Sequence, residues 1–120
     1  MSHPIVHIEL SADNVEALAK FYVDTFGWET QDWPDMDYIT FTSGKERVGG
    51  GFNPVQEGNP AGTVVTYIHC DDIGATLAKI EANGGKIVMP PTDIPGVGQM
   101  AHFSDPTGNH MAVLQPAMEE

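Results

Sequence analysis

Polar and apolar residues alternate from the start of the chain. Over residues 4–11, Ile5, His7, Glu9 and Ser11 share one face of a predicted strand, and Val6, Ile8 and Leu10 share the other. Asp13 then reads as a helix N-cap, with Glu16 three residues on as its capping-box partner. Val15, Leu18, Ala19, Tyr22 and Phe26 follow at helical spacing and form one apolar stripe. Gly27 stops the helix. Residues 28–33, 37–42 and 47–53 read as three further strands, separated by Pro34-Asp35 and Ser43-Gly44-Lys45 turns. Gly49-Gly50-Gly51 lies inside the last of these. Such a run weakens a strand, so it points to a bulge or close strand packing, or to backbone approached by a ligand.

The pattern then repeats. A Gly/Pro-rich connector, residues 56–62, leads into a strand over 63–69. Asp71 or Asp72 caps a second helix with the stripe Ile73, Leu77, Ile80 and a stop at Gly84-Gly85. Residues 86–89 form a strand, and Pro90–Gly96 is expected to be a stiff loop suited to a rim or lid. Strands over 99–104 and 109–115 flank an Asp105–Gly108 turn. At an offset of 58 residues, caps, stripes and helix stops coincide. The pattern predicts an α+β fold: two βαβββ modules forming curved mixed sheets around a cavity. We place module 1 at residues 1–56 and module 2 at 63–116 of a single domain, with a loose tail after Pro116.

Composition narrows the function. The chain of 120 residues carries 17 acidic and 5 basic side chains, a formal charge of −12. The first 60 residues hold 10 acids and 3 bases, so acid is spread over both halves and forms no tail. Nucleic acid is disfavoured as a partner, because phosphate contacts need clustered Lys and Arg. The charge serves solubility, or, on a sharper reading, a negative cleft that attracts cations. No stretch approaches the roughly 20 apolar residues of a membrane span. The single cysteine, Cys70, forms no internal disulfide and suits a reducing compartment, so a cytoplasmic protein is expected.

Several residues carry candidate chemistry. His7 and Glu9 share a strand face and form the most suggestive acid/base pair. Tyr67 and His69 repeat that pattern in the second half, and with His110 they are candidate ligand-pocket residues. His102 sits on a strand whose facing the sequence leaves open. Trp28 and Trp33 read as core or interface aromatics. Cys70 reads as a small buried residue and not as a nucleophile, and His3 as terminal and idle.

The chain resembles the vicinal oxygen chelate superfamily of glyoxalase I, extradiol dioxygenases and bleomycin-binding proteins. The resemblance rests on His7 with Phe21-Tyr22 and Phe26-Gly27-Trp28, on Ala82-Asn-Gly-Gly85, and on Phe103-Ser-Asp-Pro-Thr-Gly-Asn109. Its nearest subgroup is described as related to lactoylglutathione lyase. The resemblance implies a small-molecule partner and a homodimer. In metal-using members, the first strand of each half supplies a His-type ligand and the last strand a Glu-type ligand to a divalent metal. Here His7 stands at the first such position. Val65 and Ala112 stand at the two of the second half, and the glycine run, with Glu46 before it, at that of the first. The resemblance therefore implies no metal cofactor of the usual kind. A rearranged site drawing on His7, His69 and His110 would need a strand-long displacement. Three functions stay open: a glyoxalase-like enzyme working without the usual metal through His7 and Glu9; a non-catalytic ligand-sequestering protein; and a metal-dependent lyase or dioxygenase with displaced ligands.

Overall fold

The computed structural model describes residues 3–44, 47–55 and 60–117. Glu46, most of the 56–62 connector and the end of the tail lie outside the described residues. The elements are β1 (Ile5–Ala12), α1 (Val15–Phe26), β2 (Glu29–Trp33), a 3-10 turn at Pro34–Met36, β3 (Tyr38–Thr42), β4 (Gly49–Pro54), β5 (Val64–His69), α2 (Ile73–Ala82), β6 (Lys86–Ile94), β7 (Gly98–Ser104) and β8 (His110–Pro116). The fold is α+β, with βαβββ occurring twice. The chain divides into two compact units. One runs from Val6 to Val65; the other takes the chain from Thr66 together with the residues up to Ile5. The N-terminal residues are tied there by backbone: His69 N–H donates to the Pro4 carbonyl at 2.8 Å.

In the first unit the strand order is β2-β3-β4-β1. β1 is parallel to β4, and the other neighbours are antiparallel. Alternation sorts the side chains cleanly. Leu10, Ala12, Ile39, Phe41 and Phe52 pack under α1 with Val15, Ala19, Leu18, Tyr22 and Trp28. The Trp28 ring stacks between Tyr22 and Phe41, with centroids at 4.7 Å and 4.5 Å. Phe52 is fully buried against Tyr22 and Phe41. His7, Glu9, Ser11, Tyr38, Thr40, Gly51 and Asn53 are left on the opposite face.

The second unit repeats the scheme in the order β5-β8-β7-β6, with β5 parallel to β8. Cys70, Ile73, Leu77, Ala101, Phe103 and Val113 form its core, with Ile68, Ile80, Ile87 and Met111 against them. Tyr67, His69, Met100, His102, His110 and Ala112 take the other face.

Three local expectations change. Asn14, not Asp13, caps α1: its Oδ1 accepts from Ala17 N–H at 3.0 Å. Ala12 is buried in the core, which keeps the chain extended through Asn14 and starts the first turn at Val15. Asp72 caps α2 in the same way through Ala75 N–H, and Asp72 lies 58 residues after Asn14. The Pro90–Gly96 segment is not a loop, because β6 continues to Ile94. Register shifts between Ile87 and Thr92 absorb the two prolines, and β6 ends the strand order, where a missing N–H costs no ladder bond. The glycine run holds an unbroken register with both neighbours, so it contains no bulge.

The Asp105–Gly108 turn is held by one side chain. Asp105 Oδ1 accepts from the N–H groups of Thr107, Gly108 and Asn109, and Oδ2 from Asn109 Nδ2. The Asn109 side-chain bond, then its backbone bond, hold the Asp105 carboxyl below its ordinary pKa.

Two predictions follow from these contacts. Phe52→Ala removes the ring shared by Tyr22 and Phe41 and should cost about 3–5 kcal/mol in urea unfolding. A depressed folded-state pKa adds stability that is fully present above the unfolded carboxyl range and is lost as pH falls through the lowered folded value. The difference in Tm between wild type and Asp105→Ala should therefore be constant above about pH 5 and narrow below about pH 4.

Candidate active site

The first unit gathers its chemistry on the polar face of β1, β3 and β4. His7 and Glu9 project from β1, and the Tyr38 phenol lies between them. Tyr38 Oη donates to Glu9 Oε2 at 2.9 Å. His7 Nε2 lies 2.9 Å from the same phenol oxygen and 3.4 Å from Glu9 Oε2. The phenol proton is directed at the carboxylate, so its oxygen accepts from His7 Nε2–H. The result is a hydrogen-bonded chain from imidazole to phenol to carboxylate. The His7 and Glu9 side chains are 28% and 20% exposed, so the cluster is partly desolvated yet reachable.

The glycine run makes this arrangement possible. Gly51 pairs with Glu9 on one side and Thr40 on the other. A Cβ on Gly51 would lie 1.8 Å from Tyr38 Oη, so the phenol occupies the space that a side chain would fill. Gly50 points to the opposite face, where a Cβ would meet the Ile8 carbonyl oxygen at 1.8 Å and the Phe41 ring at 2.8 Å. Close approach by strand and side chain explains the run.

Trp33 and Asn53 share this face. The Trp33 indole N–H donates to Thr40 Oγ1 at 3.1 Å, and the residue is 42% exposed. Trp28 is the core aromatic of the pair, and Trp33 is not. Asn53 is only 7% exposed, and its Oδ1 accepts no hydrogen bond among the described residues.

The second unit carries a different set. Tyr67 Oη donates to the Met100 sulfur at 3.6 Å, and the Tyr67 ring sits edge-on to His102. His102 is buried, and its Nδ1 lies 2.6 Å from His110 Nε2, so one ring donates and the other accepts. Thus Tyr67 and His110 are linked through His102. His69 is on the same strand face as Tyr67, and its backbone carbonyl accepts from His3 Nδ1 at 2.9 Å. His3 is therefore a structural tie. Cys70 is fully buried, and burial pushes its thiol pKa up, which suits a core residue. On α1, Lys20 is raised by its hydrogen bond and ion pair with Asp24, both exposed.

Sequence reasoning missed Tyr38, Asn53 and Met100 and left His102 undecided. For Tyr38 a signal existed: a ring-bearing residue on a strand opposite consecutive glycines.

The βαβββ unit occurring twice, each with its parallel first and last strands, is the architecture of the glyoxalase fold. Residues 4–113 match the Glyoxalase/Bleomycin resistance protein/Dioxygenase superfamily, and the chain belongs to it. It is 35% identical over 115 residues to CFP32 of Mycobacterium tuberculosis, covering 93% of this chain and 44% of that protein. It is 33% identical over 129 residues to the anthracycline biosynthesis protein DnrV of Streptomyces peucetius, covering 93% of this chain and 46% of DnrV. The chain thus spans less than half the length of these curated relatives. Among solved structures, BH1468 of Bacillus halodurans superposes with a TM-score of 0.74 at 14% identity, over 100% of this chain and 99% of that one, which shows the shared fold. No helix among the described residues is long and apolar enough to cross a membrane.

The family's divalent metal can be tested against the side chains present. Gly51 sits beside Glu9 as Ala112 sits beside Tyr67, so the last-strand ligand positions are Gly51 and Ala112. The first-strand positions are His7 and Val65. Only His7 offers a donor, and the Gly51 position is filled by the Tyr38 phenol. Among the described residues no three His, Cys, Asp or Glu side chains converge. These donors do not fit the usual ion.

The two glycines give opposed expectations. Gly51→Ala meets the end of a side chain and should leave a folded protein with Tyr38 displaced, read as an altered near-ultraviolet tyrosine signal. Gly50→Ala meets backbone and should lower stability far more, by roughly 1–3 kcal/mol or above, with a correspondingly lower Tm. Equal thermal stability of the two variants would contradict this geometry.

Proposed function

We propose that this protein is a glyoxalase-like enzyme that moves a proton next to a carbonyl group, using His7, Tyr38 and Glu9 and no divalent metal. The observation that carries the reading is the Tyr38 phenol, hydrogen-bonded at once to an imidazole and a carboxylate over a glycine. Glu9 acts as the base. It takes the proton from the carbon beside the carbonyl, and the C–H electron pair becomes the C=C bond of an enolate. The carbonyl π pair moves to oxygen, and as Glu9 takes up the carbon's proton the Tyr38 O–H turns from that carboxylate to donate to the new oxyanion, while His7 N–H goes on donating to the phenol oxygen. Return of the proton from Glu9 to carbon completes an exchange, epimerisation or isomerisation, with no oxidant consumed. A relative named for anthracycline biosynthesis is in keeping with a small-molecule substrate.

The test is deuterium uptake at the α-carbon of ketones in D2O, followed by NMR with acetoin, methylglyoxal and 1-tetralone. We expect protein-dependent exchange that resists EDTA and falls about 100-fold or more in Glu9→Gln and in Tyr38→Phe. Exchange that EDTA abolishes, or that survives both substitutions, would overturn it. Saturable binding with no exchange would support the sequestering alternative.

A further inference from the structure

The second unit's polar face carries chemistry that the proton-transfer cluster does not use. Its centre is the pair of imidazoles on β7 and β8. His102 is buried, and its Nδ1 lies 2.6 Å from Nε2 of the half-buried His110. The rings meet edge to face, with centroids at 4.9 Å. Each ring aims a nitrogen at the other, and the space between the two nitrogens holds a single proton.

Two thioethers border the same pair. Met100 stands two residues before His102 on β7, so both side chains leave the same face. Met89 pairs with His102 across β6 and β7, and directly paired residues share a face with their Cβ atoms about 4.5–5.5 Å apart. Met89 and Met100 are half-buried, as is His110, so solvent touches the group although His102 is covered. The Met100 sulfur already accepts from Tyr67 Oη at 3.6 Å, which fixes its position and leaves it a second lone pair. Among the described residues no third His, Cys, Asp or Glu joins the two imidazoles.

This donor set decides which ion fits. Magnesium and calcium need oxygen ligands, and zinc sites draw on thiolate, imidazole and carboxylate. Imidazole together with thioether suits a softer ion, copper(I) above all. All four donors are neutral, which matches a monovalent cation, and the chain's charge of −12 favours its approach. A metal about 2.0 Å from each of two nitrogens at a tetrahedral angle sets them about 3.3 Å apart. The imidazoles, now at 2.6 Å, need to part by only about 0.7 Å, a small turn of the half-buried His110 ring. The bridging proton reappears on the outer nitrogen of its own ring, so both imidazoles stay neutral and present a lone pair to the ion.

We propose that Met89, Met100, His102 and His110 form a copper(I) site in the second unit. The two imidazole nitrogens that face each other are its main ligands, and the thioethers complete the set. The site shares no residue with His7, Tyr38 and Glu9, and it stands or falls independently of the function proposed for them.

The experiment titrates the metal-free protein with copper(I) under nitrogen, with ascorbate as reductant and bicinchoninate as competing chelator. Silver(I) serves as a redox-inert second probe. Wild type should hold one copper(I) per chain at micromolar affinity or tighter, at least about 100-fold more tightly than zinc(II). In methyl NMR spectra, silver(I) should shift the Met89 and Met100 signals and leave Met36 and Met111 in place. His110→Ala should weaken copper(I) binding by about 100-fold or more, and Met89→Leu combined with Met100→Leu, a volume-conserving change, by about tenfold. Cys70→Ala removes the chain's one thiol, a competing soft ligand, and should bind as wild type does. No uptake by wild type, a preference for zinc(II), uptake that survives His110→Ala, or uptake lost in folded Cys70→Ala would overturn the proposal. Should a variant fail to fold, the methyl shifts of the wild-type protein decide.

Discussion

The first unit depends on a strand that has almost no side chains where it matters most. Gly50 and Gly51 point to opposite faces of β4, and each lies under an aromatic ring from β3, with the Ile8 carbonyl of β1 closer still to Gly50. On the core side Phe41 closes over Gly50 and stacks with Trp28. On the polar side Tyr38 closes over Gly51 and reaches His7 and Glu9. Glycine in a strand interior costs roughly 0.5–1 kcal/mol relative to alanine. The return here is two rings in van der Waals contact with backbone, one consolidating the core and one assembling the acid/base cluster. Packing and chemistry therefore share a cause, and a single methyl on either face separates them.

The two units show how far one chassis can diverge. Their caps, helix stripes and strand pairings correspond at 58 residues, as Asn14 and Asp72 show through matching bonds to Ala17 and Ala75. Their polar faces do not correspond. Register places Met100 where the first unit has Tyr38, His102 where it has Thr40, and Ala112 where it has Gly51. The Ala112 methyl is fully buried and takes the space that the phenol enters in the first unit. The second unit accordingly builds different bonds, Tyr67 to Met100 and His102 to His110. Duplication preserved what the core needs and left the facing positions free to change.

That division explains what the sequence made legible. The core stripes, the Gly27 stop, the Asp105 turn and the twofold βαβββ order follow from local periodicity and from residues with one conformational use. His7 and Glu9 were visible because they sit two apart on one strand. Tyr38 was not, because its partnership spans 31 residues to His7 and depends on which strand lies beside which. Asn53 was invisible for another reason: its interest lies in a missing partner, and only burial reveals that. The Pro90–Pro91 strand misled local reading, since proline excludes a central strand but not one at the end of the strand order. The cap of α1 moved by one residue because burial of Ala12 outweighed the capping-box pattern beginning at Asp13.

The same geometry bears on how the face works. In metal-using relatives a cation would polarise the substrate oxygen. Here the last-strand position beside Glu9 is a glycine, and the group above it is a phenol with its proton already aimed at a carboxylate. A phenol is a weaker electrophile than a divalent ion, so it suits an enolate only where water is kept out and its oxygen is already in place. Tyr38 meets the second condition, because the Gly51 backbone beneath its ring and the bonds to His7 and Glu9 hold its oxygen, leaving only its proton to turn from the carboxylate to the substrate. The first condition falls to the ligand. The His7 and Glu9 side chains are 28% and 20% exposed, so on the proposed reading a substrate seated on the cluster is what displaces the remaining water, and the dry surroundings it supplies let a phenol do what a metal does in the metal-using relatives.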